Sequence, residues 1–486
     1  MKKSIHVCVA IFLALVSLLG GAAPTRASAR PNLVIIMTDD QARWALGCYG
    51  NRECQTPNMD RLARDGARFT NAFVVTPVCS PSRASFFTGK YGTQLGITDW
   101  IMKNESAAGV GLSADVPNWP RTLQRAGYVT ALIGKWHLGE NPQFHPTKVG
   151  FSHFFGFLGG GQFPMNPTLE QNGKEKKFDG PIPDILTDDA LTFLNENRSK
   201  EFALCLFFRE PHQPYEPAPP QDAAVYKDLD PTVPKSNIID AGWLKDRHRA
   251  YYASVHAADR NIGRVLDKLD ELKLADNTIV LFTSDHGYNI GHHGIYTKGN
   301  AAFIAGKGVH GPKRPNMFEN SIRVPLIVRW PGVVKPGTEI GEMVSNIDSF
   351  ATILGMTGIA MPADVKQHGV DFSPLLRDAG AVEKFSSRDL YGQYDLHNAG
   401  FASMRMIRSA DGAFKLVRHH LTNGLNELYD LKNDPHEQKN LYNDPAARAT
   451  RDALQEKLTA WQKSIDDPIS SNPLNTRSVG GSVDVR

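Results

Sequence analysis

Five short runs along the chain are apolar without interruption, at residues 32–38, 129–134, 202–208, 278–283 and 325–330. A strand with one wet face alternates, so continuous runs of this length predict strands covered on both sides, as in a parallel sheet between helical layers. Between them, residues 58–66, 119–126 and 188–197 carry apolar positions at helical spacing. The longest helical stretch is 246–272, where Tyr251, Val255, Ala258, Ile262, Val265, Leu266 and Leu269 recur on one stripe. Strands alternating with helices predict an α/β domain with a mixed, largely parallel sheet between helices.

Past about residue 380 the rhythm changes. Residues 390–393, 403–409, 414–418 and 427–430 read as short strands separated by turn residues such as Asp411-Gly412, and 446–461 as a final amphipathic helix. This predicts a smaller C-terminal domain, 381–486, of antiparallel sheet plus helix, after a catalytic α/β domain at 30–380. Residues 1–29 stand apart. Lys2 and Lys3 precede an apolar run from Ile11 to Leu19, and small residues follow, ending Ala27-Ser28-Ala29. That order is a secretory signal peptide, too short in its apolar part to span a bilayer. Export to the periplasm or medium without a stable membrane anchor is the expectation.

Composition changes the picture little. With 41% hydrophobic and 22% charged residues the chain is an ordinary globular one, which excludes a disordered or low-complexity reading. The leader holds three of the 54 basic residues and none of the 51 acids, so the remaining chain is neutral and the formal +3 disappears. Nucleic-acid binding loses its main support. Cys48, Cys54, Cys79 and Cys205 are too few for a disulfide scaffold; Cys48 and Cys54 could pair or stay free, and Cys205 reads as a buried small hydrophobe.

In parallel sheets the working edge is the carboxyl end of the strands. Residues 32–38 run into Asp39-Asp40, 129–134 into Lys135-Trp136-His137, 202–208 towards His212, and 278–283 into Asp285-His286. Four strands thus deliver carboxylates, imidazoles and an ammonium to one edge. Cys79 precedes a helix expected to begin around Pro81, where free amides favour an anion, and Arg83 follows four residues later on the same face.

The string Cys79-Ser80-Pro81-Ser82-Arg83-Ala84-Ser85-Phe86-Phe87-Thr88-Gly89 resembles the sulfatase signature, in which the cysteine is oxidised to formylglycine. Gly134-Lys135-Trp136-His137-Leu138-Gly139 resembles the second signature of that family, and Ser284-Asp285-His286-Gly287, Gly291-His292-His293-Gly294 and Leu428-Tyr429-Asp430-Leu431 extend the likeness over nearly the whole chain after the leader. The resemblance implies the alkaline-phosphatase-like α/β fold and hydrolysis of a sulfate ester, with sulfated saccharides as the substrate expected of an exported relative. It implies a formylglycine-generating maturation enzyme as partner and calcium held by Asp39, Asp40, Cys79, Asp285 and His286. Many family members carry Asn where His286 stands, and imidazole is a softer ligand than the amide. One hydroxyl of hydrated formylglycine would attack sulfur, and deprotonating the other would expel sulfate.

By the same resemblance Lys135 steadies charge, His137 shares in expelling sulfate, and His212 lies near the leaving-group oxygen. Lys298 is the expected sulfate-contacting lysine, with Lys313 as the alternative across an insertion at 299–312. For Phe154-Phe155-Gly156-Phe157-Leu158-Gly159-Gly160-Gly161, the phenylalanines read as packing and the glycines as a place of close approach. His292 and His293 either line the pocket or shape a loop, and Trp136 reads as packing. Two other functions fit parts of the pattern, a phosphonate or phosphate ester hydrolase on the same scaffold and a noncatalytic binder of sulfated glycans. Intact nucleophile and ligand positions speak against the second.

Overall fold

A computed structural model describes residues 30–471, apart from 172, 236–238, 302, 305–314, 379–384, 386, 399 and 422–425. The leader at 1–29, Lys313 and most of the insertion lie outside the described residues.

The main sheet has ten strands, which we number in chain order: β1 (Asn32–Thr38), β2 (Ala67–Phe69), β3 (Val129–Lys135), β4 (His153–Phe157), β5 (Thr168–Gln171), β6 (Lys174–Lys177), β7 (Phe202–Phe207), β8 (Thr278–Ser284), β9 (Leu326–Arg329) and β10 (Thr338–Ile340). Their order across the sheet is β10-β2-β9-β8-β1-β7-β3-β4-β5-β6. The central five, β8-β1-β7-β3-β4, are mutually parallel. The apolar run at 325–330 is a strand but not a parallel one: β9 is antiparallel to both β8 and β2. A strand covered on both faces is apolar throughout whichever way it runs, so the pattern carried no direction.

Every residue of β1 is buried, and its side chains divide between two cores. Leu33, Ile35 and Met37 face helices α2 (Cys79–Thr88), α3 (Trp119–Arg125) and α6 (Ser349–Thr357). Val34 and Ile36 face α1 (Pro57–Arg64), α4 (Ile182–Glu196) and α5 (Ala241–Glu271). Each such side chain is worth roughly 1.5–3 kcal/mol when fully buried, so the sheet is fixed from both sides. Helices α4 and α5 begin earlier than their apolar spacing indicates, at Ile182 and Ala241, and α2 begins at Cys79 itself.

Near the C-terminus β11 (Leu390–Leu396), β12 (Ala402–Arg408), β13 (Phe414–His419) and β14 (Glu427–Asp430) form an antiparallel meander. Helix α7 (Arg448–Ser464) lays Leu454, Leu458 and Trp461 against Ile407, Leu416 and Leu428 of that sheet. Cys205 is fully buried in β7, and Cys48 and Cys54 are free thiols.

Candidate active site

Helix α2 sets the position of Cys79. Val78 enters extended, Cys79 is the first helical residue, and all ten residues of the helix are buried. The amides of its first turn have no partner within the helix, so its start is suited to an anion. Arg83, one turn on and wholly buried, donates from Nε to Asp285 Oδ2 at 3.0 Å and from Nη1 to the Lys135 carbonyl at 3.0 Å. Its Nη2 has no hydrogen-bond partner.

The strand ends converge on Cys79. Lys135, at the end of β3, donates to Asp39 Oδ2 at 2.6 Å. Lys298 donates to Asp40 Oδ1 at 2.6 Å and to Cys79 Sγ at 3.1 Å. His286 Nε2 lies 3.4 Å from Cys79 Sγ, 3.2 Å from Asp40 Oδ1 and 3.5 Å from Asp285 Oδ1. Asp39 Oδ1 is 3.8 Å from the same sulfur. His212 Nε2 stands 3.8 Å from Asp40 Oδ2, while its Nδ1–H donates to the Gln213 carbonyl at 2.7 Å. Asp39, Asp40, Cys79, Arg83, Lys135, His212, Asp285, His286 and Lys298 are therefore gathered in one cluster, and Lys313 lies outside the described residues.

Two of these residues hold unusual backbone conformations. Asp40 has φ 68° and His137 φ 58°, a region side-chain-bearing residues seldom adopt and which surrounding structure must enforce. Tyr251 of α5 braces the first, donating its hydroxyl to the Asp40 carbonyl at 2.7 Å. The second is held by its amide, which donates to the Leu158 carbonyl, and by Nε2–H, which donates to the Ile101 carbonyl at 3.1 Å. His137 Nδ1 has no hydrogen-bond partner. Gly134, before Lys135, lies so near β7 that a Cβ would come within 1.9 Å of the Phe207 oxygen. Gly160 packs on the His137 ring, where a Cβ would stand 2.5 Å from Cε1.

Burial and neighbouring charge set the protonation states. Burial raises Asp39, but the Lys135 and Arg83 charges prevail and hold it well below the usual carboxylate range. Burial pushes Asp40 up to about 7 against Lys298 and His286, and also raises Asp285. Burial opposes ionisation of Cys79, yet Lys135 and Lys298 hold its thiol well below the ordinary value. The cluster thus favours an anion at Cys79. Burial lowers His286, but Asp285 and Cys79 outweigh it and raise the imidazole to about 9. His212 is pushed down to about 3, mainly by burial, and is neutral at neutral pH.

Two overlapping groups can hold a metal ion: Asp39, Cys79, Asp285 and His286, and Asp39, Asp40, Cys79 and His212, each with donor atoms within 4.8 Å of one another. Three buried carboxylates, Asp39, Asp40 and Asp285, make an oxygen-rich set, which fits a hard divalent cation.

A cavity of about 350 Å³ opens onto the cluster, lined by Cys79, His137, His212 and Lys298 at its base and by Trp100, Ile101, Met102, Lys103, Glu140, Gly160, Gly161 and Asn300 around them. Its wall at 100–103 has no chemical signature in the sequence. Asn300 was within reach, two residues past Lys298. Phe154, Phe155 and Phe157 are buried, as their packing reading requires. Trp136 is buried too, donating to the Phe144 carbonyl. His292 lies against Trp44 in a separate hollow, and His293 stacks on Phe318, so neither lines this cavity.

Residues 31–359 match the family model described as Sulfatase, and residues 309–464 match one described as N-sulphoglucosamine sulphohydrolase, C-terminal. An N-acetylglucosamine-6-O-sulfatase of Bacteroides thetaiotaomicron is 30% identical, over 90% of this chain and 87% of its own length. An ulvan-active sulfatase of Formosa agariphila is 28% identical over 91% of this chain and 83% of its own. Among solved structures, one determined in complex with its substrate D-glucosamine-2-N,6-O-disulfate superposes with a TM-score of 0.77 at 27% identity, covering 92% of this chain and all of the other.

Proposed function

We propose that this chain, which belongs to the sulfatase family, removes sulfate from a sulfated carbohydrate by means of a formylglycine made from Cys79. It is a sulfuric ester hydrolase; the sugar comes from relatives that act on sulfated saccharides. One observation carries the mechanism. Lys298, Lys135 and Arg83 surround Cys79 together with three carboxylates, an arrangement a buried structural cysteine has no use for.

Formylglycine supplies a carbon bearing two hydroxyls, one to attack sulfur and one whose deprotonation releases sulfate. The chain's own residues do the rest. Lys298 and Lys135 lend positive charge to the sulfate oxygens, worth more in a closed site than in water. Arg83 orients the nucleophile, with Nη2 left over for an oxygen ligand. His212 Nδ1–H is tied to the Gln213 carbonyl, which leaves Nε2 to carry, in the imidazolium form a bound sulfate anion would favour, the proton for the departing alcohol. His137 Nδ1, also without a partner, suits the acceptor for the second hydroxyl. Asp39, Asp40, Asp285 and His286 would hold the divalent ion, which we assign as calcium and which would neutralise sulfate charge and favour the ionised nucleophile.

We assign 30–380 to the catalytic part and 381–486 to a smaller one, a reading supported by the antiparallel meander with α7 laid across it, while Tyr394, Met404 and Met406 of the same sheet join the main core. Export through a leader at 1–29 and maturation by a formylglycine-generating enzyme complete the reading. No helix among the described residues is long and apolar enough to cross a membrane. The test is turnover on one matured preparation of aryl sulfate, sugar sulfates and matching phosphate and phosphonate esters. Sulfate release dominates if the reading holds; faster phosphonate or phosphate turnover, or none at all, overturns it.

A further inference from the structure

The cavity wall that bears none of the reacting groups is fastened from almost three hundred residues away. Trp100, Ile101, Met102 and Lys103 form that wall, and the Ile101 peptide joins both halves of the chemistry. Its N–H donates to Ser80 Oγ at 2.9 Å, beside Cys79, and its carbonyl accepts from His137 Nε2 at 3.1 Å. The wall has little regular structure, a five-residue helix at Lys103–Ala107.

What holds it is the turn between β11 and β12. Asp99, fully buried, accepts from Tyr394 Oη at 2.9 Å and from the amides of His397 and Asn398 at 2.9 and 3.0 Å. Glu105 accepts from His397 Nε2 at 2.7 Å and Asn398 Nδ2 at 2.9 Å. Asn398 Nδ2 also donates to the Trp100 carbonyl at 2.7 Å. Two carboxylates at the two ends of the wall are thus gripped by one turn of the C-terminal sheet.

We propose that His397 and Asn398 are positioning residues for sulfate transfer: they fix the 99–105 wall and, through the Ile101 peptide, the ring of His137 against Cys79. The inference rests on the sulfatase reading. The Ile101 carbonyl is the hydrogen-bond partner of the His137 ring, Nδ1 having none, and His137 sits at a φ its own backbone does not favour. A reacting group displaced by about 1 Å can lose about 100-fold in rate. Releasing the turn acts on the chemical step, because the sulfate floor of Lys135, Arg83 and Lys298 belongs to other elements.

The experiment compares wild type, His397→Ala and His397→Gln as full-length matured enzymes on an aryl sulfate, with inhibition by inorganic sulfate and thermal midpoint measured alongside. Wild-type sulfate release comes first; if it is absent, the sulfatase reading has failed and the variants are not at issue. Given wild-type turnover, His397→Ala should lose about 10- to 100-fold in kcat, with sulfate inhibition unchanged. His397→Gln, whose side-chain amide can still donate to Glu105, should recover most of it. Wild-type kcat in His397→Ala overturns the proposal. So does a loss that falls equally on sulfate binding and is not recovered by glutamine, since that is general damage. If His397→Ala does not fold, Glu105→Gln, which keeps its Met102 amide bond, is read by the same split between kcat and sulfate inhibition.

Discussion

Replacing Lys298 by methionine keeps most of the side-chain volume and deletes one charge from the floor of the cavity. Lys298 is 7% exposed, with Nζ 3.1 Å from Cys79 Sγ, the position a formylglycine oxygen would take. Losing one charge-assisted hydrogen bond removes about 1.5–3 kcal/mol. At 1.36 kcal/mol per decade this is about a 10- to 150-fold fall in kcat/KM. The full Coulomb interaction at that distance, with an effective dielectric constant of about 20, is about 5 kcal/mol, which sets a ceiling near 10⁴-fold. The assay is initial-rate sulfate release with kcat and KM resolved, on preparations whose Cys79 maturation has been matched by peptide mass. A kcat/KM equal to wild type would refute the placement of Lys298 at the sulfate. A loss seen instead in Lys313→Met would move the role to the other side of the insertion.

Three further outcomes are expected. Asp285 holds His286 above its ordinary value against burial, so a cation must displace its proton; calcium affinity should rise with pH, with proton release in calorimetry across buffers of different ionisation enthalpy, and pH-independent binding would exclude His286 as a ligand. Gly160→Ala places a Cβ against the His137 ring; overpacking of about 1–3 kcal/mol should lower kcat with little change in the unfolding midpoint, and unchanged kcat would show that the loop gives way. In the C-terminal part Arg405, fully buried, is held by Asp467 and Asp395. Burial raises Asp467, but the Arg405 hydrogen bond and charge bring it below its ordinary value. Its stabilisation is therefore complete above an unfolded pKa of about 3.9 and lost as pH falls through the lower folded value. Asp467→Asn should cost about 3 kcal/mol at neutral pH and flatten the acid limb of the stability curve in denaturant titrations.

The parts legible in the sequence were those whose physics is local. Residues 32–38 announced a doubly covered strand because both cores demand apolar side chains there, and the residues that follow each strand announced the working edge. Helix α2 was legible from about Pro81, since proline suits a first turn, but its start at Cys79 itself was not. Direction was not legible for β9, since antiparallel and parallel strands bury the same residues. The start of α4 at Ile182 was missed because its first turn carries prolines at 181 and 183, which look like loop. The 99–105 wall was invisible because what orders it, Tyr394, His397 and Asn398, lies far along the chain. Spacing from His293-Gly294 pointed to Lys298, but its contacts with Asp40 and Cys79 were not legible because they join residues more than two hundred positions apart.

The central claim concerns what Cys79 becomes. Peptide mass spectrometry of protein purified in active form, with carbonyl trapping by a hydrazine reagent, reads it directly. The account predicts a Cys79 peptide in which the thiol has been replaced by an aldehyde, trapped in proportion to specific activity. An unmodified thiol in fully active enzyme would contradict it.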